Sequence, residues 1–297
     1  MSLTGLVRDP GGRLSALKIV TLLLALAPGA SLAFDWSTHN LGPKPVTEVI
    51  HGTGLWAIRF LVITLAVTPV RGLLDLPRVV MLRRMLGVTS ACYAAAHLTL
   101  FALDKQWNLF KVATEILSRF YLTIGFFAMM GLFALAITST DGWQKSLGRD
   151  WKRLHKLVFV IAPLALFHYG IQSKADVSDM VFLTGLFLWL MFWRLLPRRL
   201  QTRLWPLPGF ALGAGLLAAL IETAWYMVRN HVNGWTVFDT NFDLAANLDP
   251  SFGPRPAVAV VLAGLFAVLL VGLRKLTRRR RVPGGAVRRA SPASSAS

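Results

Sequence analysis

Three histidines lie inside apolar, helix-length stretches of the sequence: His97, His155 and His168. An ionisable side chain is costly within a membrane, so a histidine at that depth indicates a functional site by default. Imidazole can bind heme iron through one ring nitrogen, and two imidazoles on facing helices can hold a b-type heme between them. His97 and His168 lie on different stretches at similar predicted depths, and we predict that they are the axial ligands of one heme. The alternative for each is a hydrogen bond between helices.

The third histidine, His155, precedes His168 by 13 residues in the same stretch, which a helix spans in about 20 Å. This distance suits a second redox centre nearer the cytoplasmic side, in a two-level path for electrons. A partner on the facing helix would fall at Arg83 or Arg84, and neither is a normal iron ligand. His155 is therefore either a ligand of a second heme whose other ligand is not identified, or a solvated histidine at the membrane interface.

Arg59 is another costly side chain inside a predicted span. A heme b brings two carboxylates into a site of low dielectric constant, where a guanidinium can pair with them. We predict that Arg59 pairs with a heme propionate near the outer face. The alternative is that its side chain extends to the membrane interface without contacting a ligand.

These residues must be positioned by membrane-spanning helices. Of the 297 residues, 55% are hydrophobic and 15% are charged, whereas soluble domains carry about 25% charged residues. A span needs roughly 20 mostly apolar residues, and the need for backbone hydrogen bonds in lipid makes such spans helical. The predicted spans are residues 16–34, 52–70, 85–103, 120–139, 154–171, 180–196, 207–228 and 256–273. The predicted fold is all-α, a polytopic membrane helix bundle with a six-helix heme-binding core and two additional C-terminal spans.

The formal net charge of +18 indicates orientation in the membrane rather than binding of nucleic acid. The charges lie in short clusters between apolar runs, whereas a nucleic-acid-binding module carries a basic stripe on a polar surface. If the chain crosses the membrane at each predicted span, most of the 32 Lys and Arg residues lie in segments on one side of it. Basic residues are enriched on the cytoplasmic side, so that side and both termini are predicted to be cytoplasmic. The single cysteine, Cys92, excludes an intrachain disulfide, covalent c-type heme attachment and an iron–sulfur cluster.

Four regions are predicted along the chain. Residues 1–40 form an N-terminal span and outer loop, and residues 41–200 form the heme-binding transmembrane domain. Residues 201–273 form a two-span extension, and residues 274–297 form a basic, disordered cytoplasmic tail that rests on anionic lipid. The first span resembles a secretory signal peptide, but the charge asymmetry favours a retained span.

A series of short motifs follows in order between residues 42 and 200. They are His51–Gly54, Leu65–Arg71, Arg83–Gly87, Tyr93, His97–Thr99, Leu135–Ser139, Leu147–His155 and His168–Tyr169. In this series the chain resembles the MsrQ family, the heme-binding membrane subunits of the bacterial periplasmic methionine sulfoxide reductase system. That family lies within the ferric-reductase-like transmembrane superfamily.

The resemblance implies that His97, His155 and His168 are heme ligands, that the heme is of b type and that FMN is a further cofactor. It implies an electron-transfer subunit in the bacterial inner membrane, rather than the catalytic subunit. Electrons would come from the respiratory chain as quinol, or from a cytoplasmic flavin reductase. They would pass to a periplasmic molybdopterin-containing reductase that repairs methionine sulfoxide in oxidised proteins.

Residues 201–297 depart from the family, which has six spans. The outer loop of this extension carries Asp239, Asp243 and Asp249. We interpret it as a solvated connector rather than a docking surface, because acidic loops are usually solvated.

Two rival functions remain. A self-contained ferric reductase or oxidase would need a soluble flavin- and nicotinamide-binding domain, and the sequence has no strand–glycine-loop–helix unit to supply one. A related cytochrome with another acceptor remains an alternative. A transporter with a histidine proton relay is the non-redox alternative, and no inverted repeat supports it.

Overall fold

The computed structural model describes residues 7–8, 11–174, 176–251 and 253–280, and these are helical apart from turns, loops and one isolated bridge between Arg8 and Leu14. Eight helices within these ranges are long and apolar enough to cross a membrane. The predicted all-α, polytopic membrane fold is thereby confirmed, and each predicted span corresponds to one of these helices. Six of them are α1 (Ala16–Ser37), α2 (Pro45–Leu74), α5 (Phe120–Ile137), α8 (Ser178–Leu195), α9 (Pro206–Asn230) and α12 (Pro256–Arg280). The third span, Pro77–Asp104, consists of a 3-10 turn and α3 (Leu82–Asp104). The fifth span, Asp141–Gln172, consists of α6 (Asp141–Leu154), a 3-10 turn and α7 (Val158–Gln172).

Four shorter helices complete the described part of the chain: α4 (Leu109–Ser118), α6 (Asp141–Leu154), α10 (Gly234–Thr240) and α11 (Leu244–Leu248). Each begins at a side-chain cap, which satisfies a backbone N–H that the first turn leaves unpaired. The side chain of Asn108 caps α4, and that of Thr140 caps α6. The outer loop of the extension is therefore partly helical, with caps at Asn233 and Asp243.

A first hydrophobic core joins α2, α3, α5, α7 and α8. Its members include Leu61, Leu65, Ala162 and Leu166, whose exposed fractions are 1–4%. The cavity histidines His97 and His168 lie on two of these helices, α3 and α7.

A second hydrophobic core joins α8 to α9 and α12, the two helices of the C-terminal extension. Small residues bring these three helices close together. A Cβ atom at Gly185 would lie 2.4 Å from Val260 Cγ2, and one at Gly215 would lie 2.4 Å from Val261 Cγ2. Such glycines let membrane helices approach closely, which strengthens their van der Waals packing. The division of the chain into four regions remains a prediction. The helix α12 continues to Arg280, and residues 281–297 of the predicted tail lie outside the described residues.

The N-terminal helix α1 lies at the edge of the bundle and contains Pro28. The Tyr93 hydroxyl accepts a hydrogen bond from the Gly29 N–H at 2.7 Å and donates to the Ala25 carbonyl at 2.9 Å. In a regular helix these two backbone groups would bond to each other. The phenol of α3 is thus inserted into the hydrogen-bond ladder of α1 and fastens it to the bundle.

A cavity between two histidines

A cavity of about 530 Å³ lies between α2, α3, α5 and α7. This volume falls within the range of small-molecule and cofactor sites, about 300–1,000 Å³. Most of the cavity wall is apolar. Its apolar lining includes Leu55, Ile58, Leu61, Ala94, Leu98, Phe101, Phe126, Met129, Leu132 and Ala165. The cavity therefore suits a largely apolar ligand that is shielded from water.

His97 lines this cavity from α3. Its Nδ1–H donates a hydrogen bond to the Ile50 carbonyl of α2 at 2.7 Å. The ring lies against Gly54, where an added Cβ would come within 2.9 Å of Nδ1. The Nε2 atom has no hydrogen-bond partner among the described residues.

His168 lines the cavity from α7 in the same manner. Its Nδ1–H donates to the Tyr121 carbonyl of α5 at 2.7 Å. The ring lies against Gly125, where an added Cβ would come within 2.6 Å of Nδ1. Within the described ranges its Nε2 also lacks a hydrogen-bond partner.

The two histidine sites repeat each other in sequence as well as in space. Each histidine lies 47 residues after the carbonyl that it bonds. In each case the glycine beside the ring follows that carbonyl by four residues, one helical turn. Sequence reasoning identified both histidines but assigned no role beside the rings to Gly54 or Gly125, although this repeated spacing was present in the sequence.

The hydrogen bonds fix what the two rings can do. A carbonyl can only accept, so each Nδ1 carries the proton and each Nε2 keeps its lone pair. A metal-binding histidine usually shows this arrangement, because the bond from the second nitrogen orients the ring and raises the basicity of the first. The site thus presents two imidazoles to one apolar cavity, from facing helices and each able to bind a metal.

One end of the cavity is polar, and this group of residues is called the cavity mouth. It consists of Lys44, Thr47, His51, Gln172, Ser173, Lys174 and Asp176. These residues come from the start of α2, the end of α7 and the loop that follows α7. The cavity therefore has an apolar interior and a polar rim at one end of the bundle.

Arg59 does not line the cavity. Its guanidinium pairs with Asp179 of α8 at 3.0 Å and lies 4.8 Å from the ring centroid of Trp56. The structure therefore uses Arg59 to join α2 to α8, and its predicted contact with a heme propionate gains no support from this position.

His155 lies away from the cavity, in a 3-10 turn between α6 and α7. Its Nδ1–H donates to the Trp151 carbonyl at 3.0 Å, and its Nε2 lies 3.3 Å from Ser139 Oγ. The imidazole also stacks on the Trp151 indole, with 3.9 Å between ring centroids. Both nitrogens of this ring are therefore engaged by the protein.

Two of the arginines near this level have partners of their own. Arg84 pairs with Asp141, and Arg194 donates to the carbonyls of Leu65 and Leu190. The facing helix α3 thus offers His155 the cationic side chains of Arg83 and Arg84, as the sequence predicted, and no imidazole.

The comparisons with known proteins cover the same part of the chain. Residues 53–166 match the family model described as ferric reductase like transmembrane component. The heme-binding subunit MsrQ of the protein-methionine-sulfoxide reductase of Xanthomonas euvesicatoria pv. vesicatoria is 41% identical over 186 residues, which are 60% of this chain and 85% of that protein. The chain belongs to the MsrQ family.

Other MsrQ proteins give similar values. The one from Xanthomonas oryzae pv. oryzae is 42% identical over 177 residues, and the one from Caulobacter vibrioides is 38% identical over 176 residues. These matches cover 57% and 58% of this chain and 81% and 83% of those MsrQ proteins. No solved structure matches the chain.

Proposed function

We propose that this chain binds heme b in the cavity through His97 and His168 and carries electrons across the membrane to a methionine sulfoxide reductase. The observation that carries the proposal is the pair of imidazoles, on α3 and α7, whose Nε2 atoms remain free to bind iron in one apolar cavity. Membership of the MsrQ family supports it, because the relatives are named as heme-binding subunits.

The residues fit such a cofactor in three respects. The cavity is large enough and mostly apolar, and Gly54 and Gly125 leave the space that the two imidazole rings occupy. The carbonyls of Ile50 and Tyr121 hold the rings in the tautomer that binds metal. A bound heme would supply one-electron redox chemistry, which the amino-acid side chains of this site do not provide.

The residues of the chain would bind and orient this cofactor. The two Nδ1–H bonds fix the planes of the imidazoles, and the two glycines set how closely each ring approaches the helix behind it. Side chains such as Leu61, Phe126 and Leu132 would exclude water from the iron. Exclusion of water and a low dielectric constant are among the means by which a protein sets the potential of a heme.

The finer assignments rest on the resemblance and on charge. We propose the bacterial inner membrane as the location, with both termini cytoplasmic. The donor would be quinol or a cytoplasmic flavin reductase, and the acceptor a periplasmic molybdopterin-containing reductase. The proposal assigns one heme to the chain, and the second heme predicted at His155 is tested separately, because both nitrogens of that ring already have partners. FMN is proposed on the resemblance alone, with no residue assigned to it.

The absorption spectrum of the purified, full-length protein tests the proposal. We expect a reduced b-type spectrum that is lost in His97→Ala and in His168→Ala. The matched control is His231→Asn, at an exposed position with φ +54°, because asparagine tolerates this backbone conformation. A colourless wild-type protein would reject the proposal and would favour a non-redox role such as a proton relay.

Coupling to the reductase needs a second assay. Membranes that contain the periplasmic partner should reduce methionine sulfoxide with quinol, and deletion of this chain should abolish that turnover. Unchanged turnover after deletion would reject the coupling while leaving heme binding intact.

A further inference from the structure

Two lysines at the cavity mouth, Lys44 and Lys174, have no role in the function proposed above. Both are exposed and both line the cavity. Neither has an ion-pair partner in the part of the chain that the structure describes. Two unpaired cations at one end of an apolar cavity suit a ligand that is apolar along its length and anionic at one end.

Several other polar groups at or near the mouth already have hydrogen-bond or ion-pair partners. One carboxylate oxygen of Asp176 accepts from the Ser178 N–H at 2.8 Å, at the start of α8. The imidazole of His51 lies 3.5 Å from the Gln172 amide nitrogen. Arg59, which lies outside the mouth, is paired with Asp179.

Lys44 has a further property that favours an anion. It is the N-cap residue of α2, where the unpaired N–H groups of the first turn and the helix dipole also attract negative charge. Lys174 faces the same mouth from the other side, directly after α7.

We propose that Lys44 and Lys174 bind the two propionate carboxylates of the heme and thereby direct that edge of the macrocycle towards the cavity mouth. This inference rests on the proposed function, because it presupposes heme in the cavity. It assigns to the two lysines the role that the sequence suggested for Arg59.

The proposal also predicts the direction in which substitutions at the mouth shift the redox potential of the heme. A cation beside the heme favours the reduced state, which carries one more electron, and therefore raises the midpoint potential. Replacing the lysines should move the potential to more negative values. Asp176→Asn should move it to more positive values, and the asparagine side-chain oxygen can still accept the hydrogen bond from the Ser178 N–H.

The test compares hemin with hemin dimethyl ester, in which both carboxylates are blocked. The full-length protein is produced without heme and titrated with each compound, in the wild type and in Lys44→Gln/Lys174→Gln. Each exposed ion pair is expected to contribute about two- to fivefold in affinity. The preference of the wild type for hemin should therefore fall about four- to 25-fold in the double variant.

The matched control is Lys111→Gln, an exposed lysine on α4 that does not line the cavity. It should leave both the preference and the potential unchanged. Because the same two compounds are titrated into every variant, their different solubilities cancel from the comparison.

The inference is overturned if hemin binds to both proteins and the double variant keeps the wild-type preference for hemin. It is also overturned if the potential does not move, or if the Asp176 and lysine variants move it in the same direction. A wild-type protein that binds neither compound would instead reject the proposed function itself, so the two failures are distinguishable.

Discussion

The cavity histidines and His155 differ in the state of their ring nitrogens. His97 and His168 each use Nδ1 to bond a carbonyl on a neighbouring helix, and each directs a free Nε2 to a cavity. His155 bonds a carbonyl one turn before it, and its Nε2 lies beside a serine hydroxyl. Depth in the membrane therefore does not distinguish these histidines, whereas a free nitrogen beside a cavity does.

The neighbouring residues strengthen this contrast. Each cavity histidine lies against a glycine of a neighbouring helix, Gly54 of α2 for His97 and Gly125 of α5 for His168. An added Cβ at either glycine would lie less than 3 Å from the ring. The ring of His155 instead lies on the Trp151 indole. One level of the bundle thus presents two rings to a shared cavity, and the other holds a single ring against the protein.

Substitution of the glycines should have the largest effect on this comparison. Gly125→Ala places a methyl group 2.6 Å from His168 Nδ1 and Gly54→Ala places one 2.9 Å from His97 Nδ1, so the ring must shift and its bond to the carbonyl is weakened. We expect heme affinity to fall at least about tenfold, as for loss of an interaction worth about 1.4 kcal/mol or more. Heme-to-protein ratio by pyridine hemochrome, at free heme concentrations near the wild-type dissociation constant, measures this.

The control for the glycine variants is Gly87→Ala, on the same helix as His97. Its added Cβ would lie 3.7 Å from Thr64 Cγ2, an ordinary contact. Wild-type heme occupancy in Gly54→Ala and Gly125→Ala would show that the glycines do not position the rings.

A smaller effect is expected at His155. Because both of its nitrogens are engaged, we expect a heme-to-protein ratio near one that His155→Ala leaves unchanged. Loss of the Trp151 stack should lower stability by about 1 kcal/mol, seen as earlier thermal loss of the heme absorption band. A ratio near two that falls to one in His155→Ala would instead establish a second heme at this level.

The smallest effect is expected at Arg59, which lies near the cavity but is paired with Asp179. The side chains are 31% and 46% exposed, so the ion pair should contribute no more than about 1 kcal/mol. Arg59→Gln should lower thermal stability slightly and leave the heme midpoint potential unchanged, as measured by redox titration. A shift as large as that of Lys44→Gln/Lys174→Gln would return the propionate role to Arg59.

Much of the fold could be predicted because membrane spans follow from local composition. All eight spans were predicted, although α2 begins seven residues earlier than its predicted start at 52 and α7 begins after the turn that contains His155. The two short helices of the outer loop were missed. The N-cap residues Asn233 and Asp243 were the available signal, since each cap bonds an N–H in the first turn.

The pairing of side chains could not be predicted in the same way. Composition places Arg59 at a depth in the membrane, but its partner Asp179 is 120 residues away in the sequence. Likewise, the depth of His155 was available, but its contact with Ser139 depends on how α5 and the turn before α7 meet. A single sequence specifies depth well, whereas the rotation of each helix is set by packing across the bundle.

The most direct test of the central claim is the axial ligation of the ferric heme, read by electron paramagnetic resonance and near-infrared magnetic circular dichroism of the full-length protein. We predict a low-spin heme with two imidazole ligands in the wild type and in His155→Ala. In His97→Gly and in His168→Gly, any heme that remains should lose this signal, and added imidazole should restore it. A bis-imidazole signal that persists in either cavity variant without added imidazole, or that disappears in His155→Ala, would contradict the assignment.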